Sequence, residues 1–213
     1  MRIALCENKR IHAEKADKFH EYICPLCQEV VILKKGRIIP AYFSHKIHAS
    51  CKDSFHHEEM TPWHLYFQSL FPEDQIEVVI SSENEKHRAD ALIHKTIFEF
   101  QHSSMSYQEF DKRNQFYTKL GYHLIWLFDM KEEYDKGNIK ESLKRNNLFE
   151  FDSPLSTFKH LDLKENITLL FQLGGRGEKE SDYPIVKVEW KNDNFTRFIA
   201  KQVRFSSYIH PKS

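Results

Sequence analysis

Hydrophobic and polar positions alternate most sharply over residues 87–101, where HRADALI and TIFEFQ flank His94-Lys95. A tight antiparallel hairpin centred on that pair sets Ile93 opposite Thr96, Leu92 opposite Ile97, Asp90 opposite Glu99 and Arg88 opposite Gln101. Directly opposed side chains share a sheet face, as do residues two apart on one strand. Asp90, Glu99 and Gln101 therefore converge on one face, while Phe98 and Phe100 point the other way into a core. Opposed like charges weaken a sheet, so two acids among Ala, Leu, Ile and Phe call for a cation, and a divalent metal is the natural one. The pattern also admits a plainer reading, with Asp90 at an exposed strand start and Glu99 solvated on an edge strand. His94-Lys95 is not a favoured two-residue turn; a longer loop about the same centre keeps the pairing.

On either side the pattern predicts alternating strands and helices. Thr61 is a helix N-cap with Pro62 at the first helical position. Trp63, Phe67 and Leu70 form the core stripe of that helix, and His64 and Gln68, four apart, share a polar face. Residues 76–80 read as a strand. Ser106 to Glu109 has capping-box spacing and opens a helix to Leu120, stopped by Gly121. The run YHLIWLF, residues 122–128, is the continuous apolar strand expected when both faces are covered. Strand, helix and strand over residues 96–128 make a right-handed crossover with parallel ends. Arg113 and Tyr117, four apart on the helix, are placed to reach toward the sheet. Beyond Asp129 the pattern predicts a charged surface helix over residues 131–147, strands over 166–173 and 185–190, a closing helix over 195–203, and an unimportant tail after Ser206. Gly174-Gly175-Arg176-Gly177 is a turn; it lacks the Lys-Ser/Thr and following helix of a phosphate-binding loop.

Residues 1–54 read as a separate β-rich module, with a strand over 1–6, a short helix over 13–19 and a hairpin formed by residues 29–34 and 41–45. Cys24 and Cys27 sit on the knuckle before the hairpin, with His45 and Cys51 beyond it. This Cys₃His set has a pair of ligands on each side of a loop, as tetrahedral zinc sites do, and a metal would hold together a segment too small to bury its own core. His48 is an alternative to His45, and Cys6 reads as a buried apolar residue.

Composition narrows the classes. Lys plus Arg equals Asp plus Glu at 31 each, which argues against a whole-surface electrostatic binder and leaves a local basic groove open. Seventeen Phe, nine Tyr and three Trp suffice for a packed core. Four Cys, two of them as Cys-x-x-Cys, fit a metal site in a reducing compartment better than a disulfide framework. No apolar run is long enough to span a bilayer, and Met1 to Leu5 runs straight into charged residues instead of a signal-peptide core. The expectation is a cytoplasmic protein with no membrane partner.

Taken in order, several of these features resemble the competence-protein CoiA-like family, whose core is a PD-(D/E)xK, restriction-endonuclease-like nuclease fold. They are Cys24, Cys27 and Phe43-x-His45; Trp63-His64; Arg88-Ala89-Asp90; Glu99-Phe100-Gln101-x-Ser103; Arg113 to Tyr117; and Ile125-Trp126. The resemblance implies an α/β fold: a mixed sheet flanked by helices over residues 55–130, with the zinc-binding β module at 1–54 and an α+β extension at 131–213. It implies a nuclease hydrolysing phosphodiester bonds, most readily in single- or double-stranded DNA, in competence or antiviral defence. Asp90 and Glu99 would bind magnesium or manganese, and Gln101, standing where Lys is common, would orient water. Glu59 and His64 match the acidic and His positions of the preceding helix. Arg113, Tyr117 and Gln68 are the candidate nucleic-acid contacts.

The chain departs from the family pattern at three places. Tyr42 stands where a His is common, Met60 holds the usual acidic position next to Glu59, and Gln68 replaces a common Lys. The Met60 and Gln68 departures motivate the alternative of a non-catalytic nucleic-acid- or partner-binding protein on the same fold. A third reading is a subunit acting with an ATPase or helicase partner.

Overall fold

The computed structural model describes residues 1–37, 39–46, 51, 61–143, 145–158, 161, 163–174 and 184–210. Its strands form a five-stranded sheet of order β2-β1-β3-β4-β5 and a nine-stranded mixed sheet of order β10-β11-β14-β13-β12-β9-β8-β7-β6. The chain divides into two compact units, residues 1–92 and 93–213.

In the first unit, β1 (Ile3–Cys6) and β2 (Lys9–His12) pair antiparallel from Ile3 with His12 to Cys6 with Lys9. The two-residue turn between them, Glu7-Asn8, has φ of 49° and 63°, the left-handed backbone that matches hairpin twist. The short helix expected over 13–19 is reduced to a 3-10 turn, Ala13–Lys15, because Asp17 Oδ1 accepts from the Phe19 N–H at 2.8 Å and holds the chain in a turn. β3 (Tyr22–Ile23), β4 (Val30–Lys34) and β5 (Tyr42–His45) complete the small sheet. The Phe43 N–H donates to the Met1 carbonyl at 2.7 Å, curling the last strand back toward the first. Its core consists of Ala4, Ala13, Ala16, Tyr22, Cys24, Val31, Ala41, Phe43 and Cys51, four of them alanines, so little apolar area is available for stability.

α1 (Pro62–Ser69) begins as expected, with Thr61 Oγ1 accepting from the His64 N–H at 3.2 Å. β6 (Ile76–Ser81) and β7 (Lys86–Ile93) pair antiparallel, Val79 facing Arg88. Glu77 on β6 is buried and takes φ 48°. Its carboxylate accepts from the Arg2 N–H at 2.6 Å and the Ile3 N–H at 3.1 Å, with Arg88 Nη1 at 3.9 Å. Arg10 donates to the Ile76 and Glu77 carbonyls at 2.5 and 3.2 Å. Burial pushes the Glu77 carboxyl up, but Arg88, the amino-terminal charge and the two N–H groups outweigh it and hold the carboxyl at about 2.

In the second unit, β8 (Thr96–Gln101), α2 (Tyr107–Lys119) and β9 (His123–Asp129) form the expected crossover, with β8 and β9 parallel and Glu99 beside Trp126. Ser106 Oγ accepts from the Glu109 N–H at 3.1 Å to start α2, and Gly121 at φ 79° ends it. His94 meets the turn's demand with φ 52°. Two sequence expectations are corrected. The charged stretch from Lys131 is helical only as α3 (Lys131–Asp135), because Gly137 at φ 74° breaks it and β10 (Ile139–Glu141) follows. The closing helix is instead strand β14 (Arg197–Val203), inserted between β11 (Leu148–Phe151) and β13 (Ile185–Lys191).

β12 (Ile167–Gln172) runs parallel to β9 and is buried along its length. The core joins Phe110, Trp126, Phe128, Phe158, Phe171, Phe195 and Phe198 through ring contacts of 4.9–6.2 Å. The tail after Ser206 also packs, since Ile209 of α4 (Ser206–Ile209) is buried. Just before it, Phe205 is buried and meets Phe98 and Phe100 at 5.9 and 6.0 Å, so these two rings face a core as the alternation predicts. Among the described residues no helix is long and apolar enough to cross a membrane.

Glu77 makes an acid-dependence test. A carboxyl depressed from its ordinary value of 4.5 to about 2 contributes stability above the unfolded pKa, and loses it as pH falls toward 2. The difference corresponds to about 3 kcal/mol. Urea unfolding from pH 5 to 2 should show the gap between wild type and Glu77→Gln closing as pH falls; a gap independent of pH would contradict this account.

Candidate functional site

In the first unit, α1 turns one polar face toward Asp90. Thr61 sets the first turn, so His64 and Gln68 fall four residues apart on that face. His64 Nε2 lies 3.2 Å from Asp90 Oδ1, with side-chain exposures of 12% and 14%. Gln68 Nε2 donates to the Asp90 carbonyl at 3.3 Å. The helix thus holds the backbone of one acid by a hydrogen bond and faces its partly open carboxylate with an imidazole at ion-pair distance. Gln68 Oε1 is buried without a hydrogen-bond partner among the described residues.

In the second unit, Glu99 and Gln101 lie on β8, both buried. Glu99 faces α2, where Arg113 Nη1 donates to its two carboxylate oxygens at 3.3 and 3.2 Å. Arg113 Nε donates to Glu109 Oε1 at 2.9 Å. Both Glu99 contacts are longer than the roughly 2.7–2.9 Å of a tight charged pair, so the guanidinium neutralises Glu99 loosely while Glu109 anchors it. Gln101 Nε2 donates to the Ser103 carbonyl at 2.7 Å, and Oε1 is buried with no partner among the described residues. Asn114 Oδ1 accepts from Trp126 Nε1 at 2.8 Å, fixing α2 against β9. At the carboxyl ends of β8 and β9, His102 Nδ1 is 2.8 Å from Asp129 Oδ2.

The donor groups of Cys24, Cys27, His45 and Cys51 lie within 4.8 Å of one another, with Cys27 Sγ 3.2 Å from His45 Nε2. Ligands of one tetrahedral zinc sit about 3.8 Å apart for Zn–S bonds of about 2.3 Å, so this set fits a structural metal such as zinc. No disulfide joins the cysteines. Burial pushes the Cys24 thiol up, the N–H groups of Cys27 and Leu26 act against this, and the neighbouring Cys27 adds to it. A bound cation is what would favour the thiolate form in such surroundings.

The chain thus combines a mixed α/β sheet with a Cys₃His cluster that fits a structural metal. The family model "Competence protein CoiA, N-terminal domain" matches residues 5–54, and "Competence protein CoiA, nuclease-like domain" matches residues 42–171. The second match spans more than half of the chain, which belongs to the competence protein CoiA family. A 35-residue stretch is 49% identical to Druantia protein DruB of Escherichia coli (strain UMEA 4076-1). That stretch is 16% of this chain and 6% of DruB, so the chain spans only a small part of that relative's length. No solved structure matches.

Of the residues expected from sequence, His64, Gln68 and Asp90 come together in the first unit, and Glu99 joins Arg113 in the second. Glu59, and His48 as the alternative ligand, lie outside the described residues. Arg113 and Tyr117, expected at phosphate, are buried at 1% and 0% exposure. Arg113 spends its donors on Glu99 and Glu109 because a buried acid needs an internal cation. Gln68 is likewise buried and bonded to backbone. Sequence reasoning missed Glu109, Asn114 and the His102–Asp129 pair; the spacing of Glu109 and Arg113, four apart on one helix, was the available signal.

Two measurements follow. Purified protein should carry about one zinc ion per chain, and Cys24→Ser or Cys51→Ser should lose it, as read by atomic emission. Arg113→Met should cost about 3–5 kcal/mol in urea unfolding by stranding Glu99, whereas Glu99→Leu combined with Arg113→Met should recover most of that loss.

Proposed function

We propose that this protein is a metal-dependent nuclease that hydrolyses phosphodiester bonds in DNA, with Asp90 and Glu99 as the magnesium or manganese ligands. The observation that carries the reading is Asp90, a partly open carboxylate faced at 3.2 Å by His64 Nε2 and held on its backbone by Gln68. Hard carboxylate and amide oxygens suit these ions. When bound, such an ion lowers the pKa of a water and offsets charge on the scissile phosphate.

The chain's own residues divide the remaining work. His64 orients Asp90. Arg113 is a positioning residue: it keeps Glu99 in place on β8 while Glu109 fixes the guanidinium. Gln101 has committed its N–H to Ser103, so Oε1 is left to accept a hydrogen bond from a water and aim it. Gln brings no positive charge, which makes the reaction more dependent on the metal than one assisted by Lys. Competence or antiviral defence is the proposed setting, with an ATPase or helicase as a proposed partner and the cytoplasm as the proposed compartment.

A second reading, a nucleic-acid-binding protein that has lost cleavage, is favoured by the Glu99–Arg113 pair, which already neutralises one of the two acids. Supercoiled plasmid with magnesium or manganese separates the two. Wild type should nick it; Asp90→Asn should lose on the order of 100-fold or more while keeping its circular dichroism spectrum, and His64→Ala should lose about 10–100-fold. DNA binding that is salt-sensitive, with no cleavage under any divalent ion, would establish the second reading instead.

A further inference from the structure

The zinc module carries a charged surface that neither the metal cluster nor the acidic residues use. From residue 30 to 46 the chain has Lys34, Lys35, Arg37 and Lys46 and no Asp or Glu, within a protein whose formal charges cancel. The tip of the β4–β5 hairpin forms an open groove of about 590 Å³ lined by Lys18, Lys34, Lys35, Arg37, Ile39 and Tyr42, among others. Four cations thus line one apolar-floored groove.

Local hydrogen bonding leaves this charge uncompensated. Lys35 Nζ donates to the Glu14 carbonyl at 2.6 Å and the Ala16 carbonyl at 3.4 Å, which fix the ammonium without neutralising it. Two acids of the preceding turn are engaged elsewhere: Glu14 Oε1 accepts from the Ala41 N–H at 2.7 Å, and Asp17 Oδ1 takes the Phe19 N–H and His20 Nδ1 at 2.8 Å. Among the described residues Lys18, Lys34 and Arg37 have no carboxylate partner. Apolar side chains continue the surface. Val30 and Ile32 share the outer face of β4 with Lys34 and are 41% and 39% exposed, and Ile39 is 56% exposed.

We propose that this groove binds single-stranded nucleic acid, the cations following phosphates while Tyr42 and the apolar floor take base faces. Cations interleaved with an aromatic ring are the pattern of sequence-tolerant strand binding. A duplex hides its base faces and would leave the apolar floor unused. The inference rests on the reading that the protein acts on DNA, and assigns to the zinc module the task of holding a strand.

Fluorescence anisotropy with labelled oligothymidylate tests it, using the full chain without added divalent ion or chelator so that zinc is retained. Lys34→Glu with Arg37→Glu should weaken binding by tenfold or more and lower the slope of log K against log salt by about 1.4, two contacts at about 0.7 each. Should zinc content show that this variant is misfolded, Lys34→Gln with Arg37→Gln should give the same slope change. Tyr42→Leu should weaken binding several-fold with the slope unchanged. Unaltered affinity and slope in the charge variants overturn the inference, as does absence of wild-type binding, a preference for duplex, or capture by anionic vesicles instead of DNA. Plasmid nicking by a wild type whose binding ignores these residues sinks the groove and spares the nuclease. Groove-dependent binding without nicking does the reverse.

Discussion

A carboxylate closed inside an apolar sheet needs a cation, and much of the second unit is arranged around satisfying that need for Glu99. Desolvating a charge costs several kcal/mol unless a partner is supplied, and Arg113 supplies it from α2. Glu109, one turn earlier, holds the guanidinium, while Asn114 ties the same helix to Trp126 on β9. α2 is therefore fixed on β8 and β9 by polar contacts as well as by Phe110 against Trp126 at 4.9 Å. Both faces of β8 are spoken for, since Phe98 and Phe100 meet Phe205 on the side away from Glu99.

The five-stranded sheet answers a different shortage. A core cluster with four alanines among nine buried residues cannot by apolar burial alone offset the entropy of ordering that segment. The Cys₃His cluster provides a cross-link if a metal is bound, and Glu77 provides another by charge. Positive φ in a non-glycine residue costs on the order of 1 kcal/mol. Glu77 accepts that cost in return for two backbone N–H donors and Arg88, joining β6 to β1.

Elements whose signals are local were legible in the sequence. Ser106 and Gly121 bracket α2, Thr61 and Pro62 start α1, and the unbroken apolar run of β9 announced a strand covered on both faces. The four Cys₃His residues declared themselves by spacing. What failed were segments decided by their neighbours. Phe195, Phe198, Ile199 and Val203 have helical spacing, yet β11 and β13 would each keep one unpaired edge without β14, and ladder hydrogen bonds outweigh propensity. At the site, the acids and glutamines stood out as chemistry, whereas burial did not. The four-residue spacing of Arg113 and Tyr117 turns both toward the sheet, and only packing shows how deeply they are buried there.

Gln101 and Gln68 share an unusual condition that bears on why neither is a lysine. Each donates an N–H to a backbone carbonyl, Ser103 for one and Asp90 for the other. Each also buries an oxygen that no donor among the described residues satisfies. An unpaired buried acceptor costs about 1–3 kcal/mol, so each oxygen calls for a donor from beyond the described residues. A lysine at position 101 would have offered donors alone, and would have set a second cation two residues from Glu99, which Arg113 already neutralises. With glutamine the strand end keeps a neutral acceptor and adds no charge beside the Glu99–Arg113 pair.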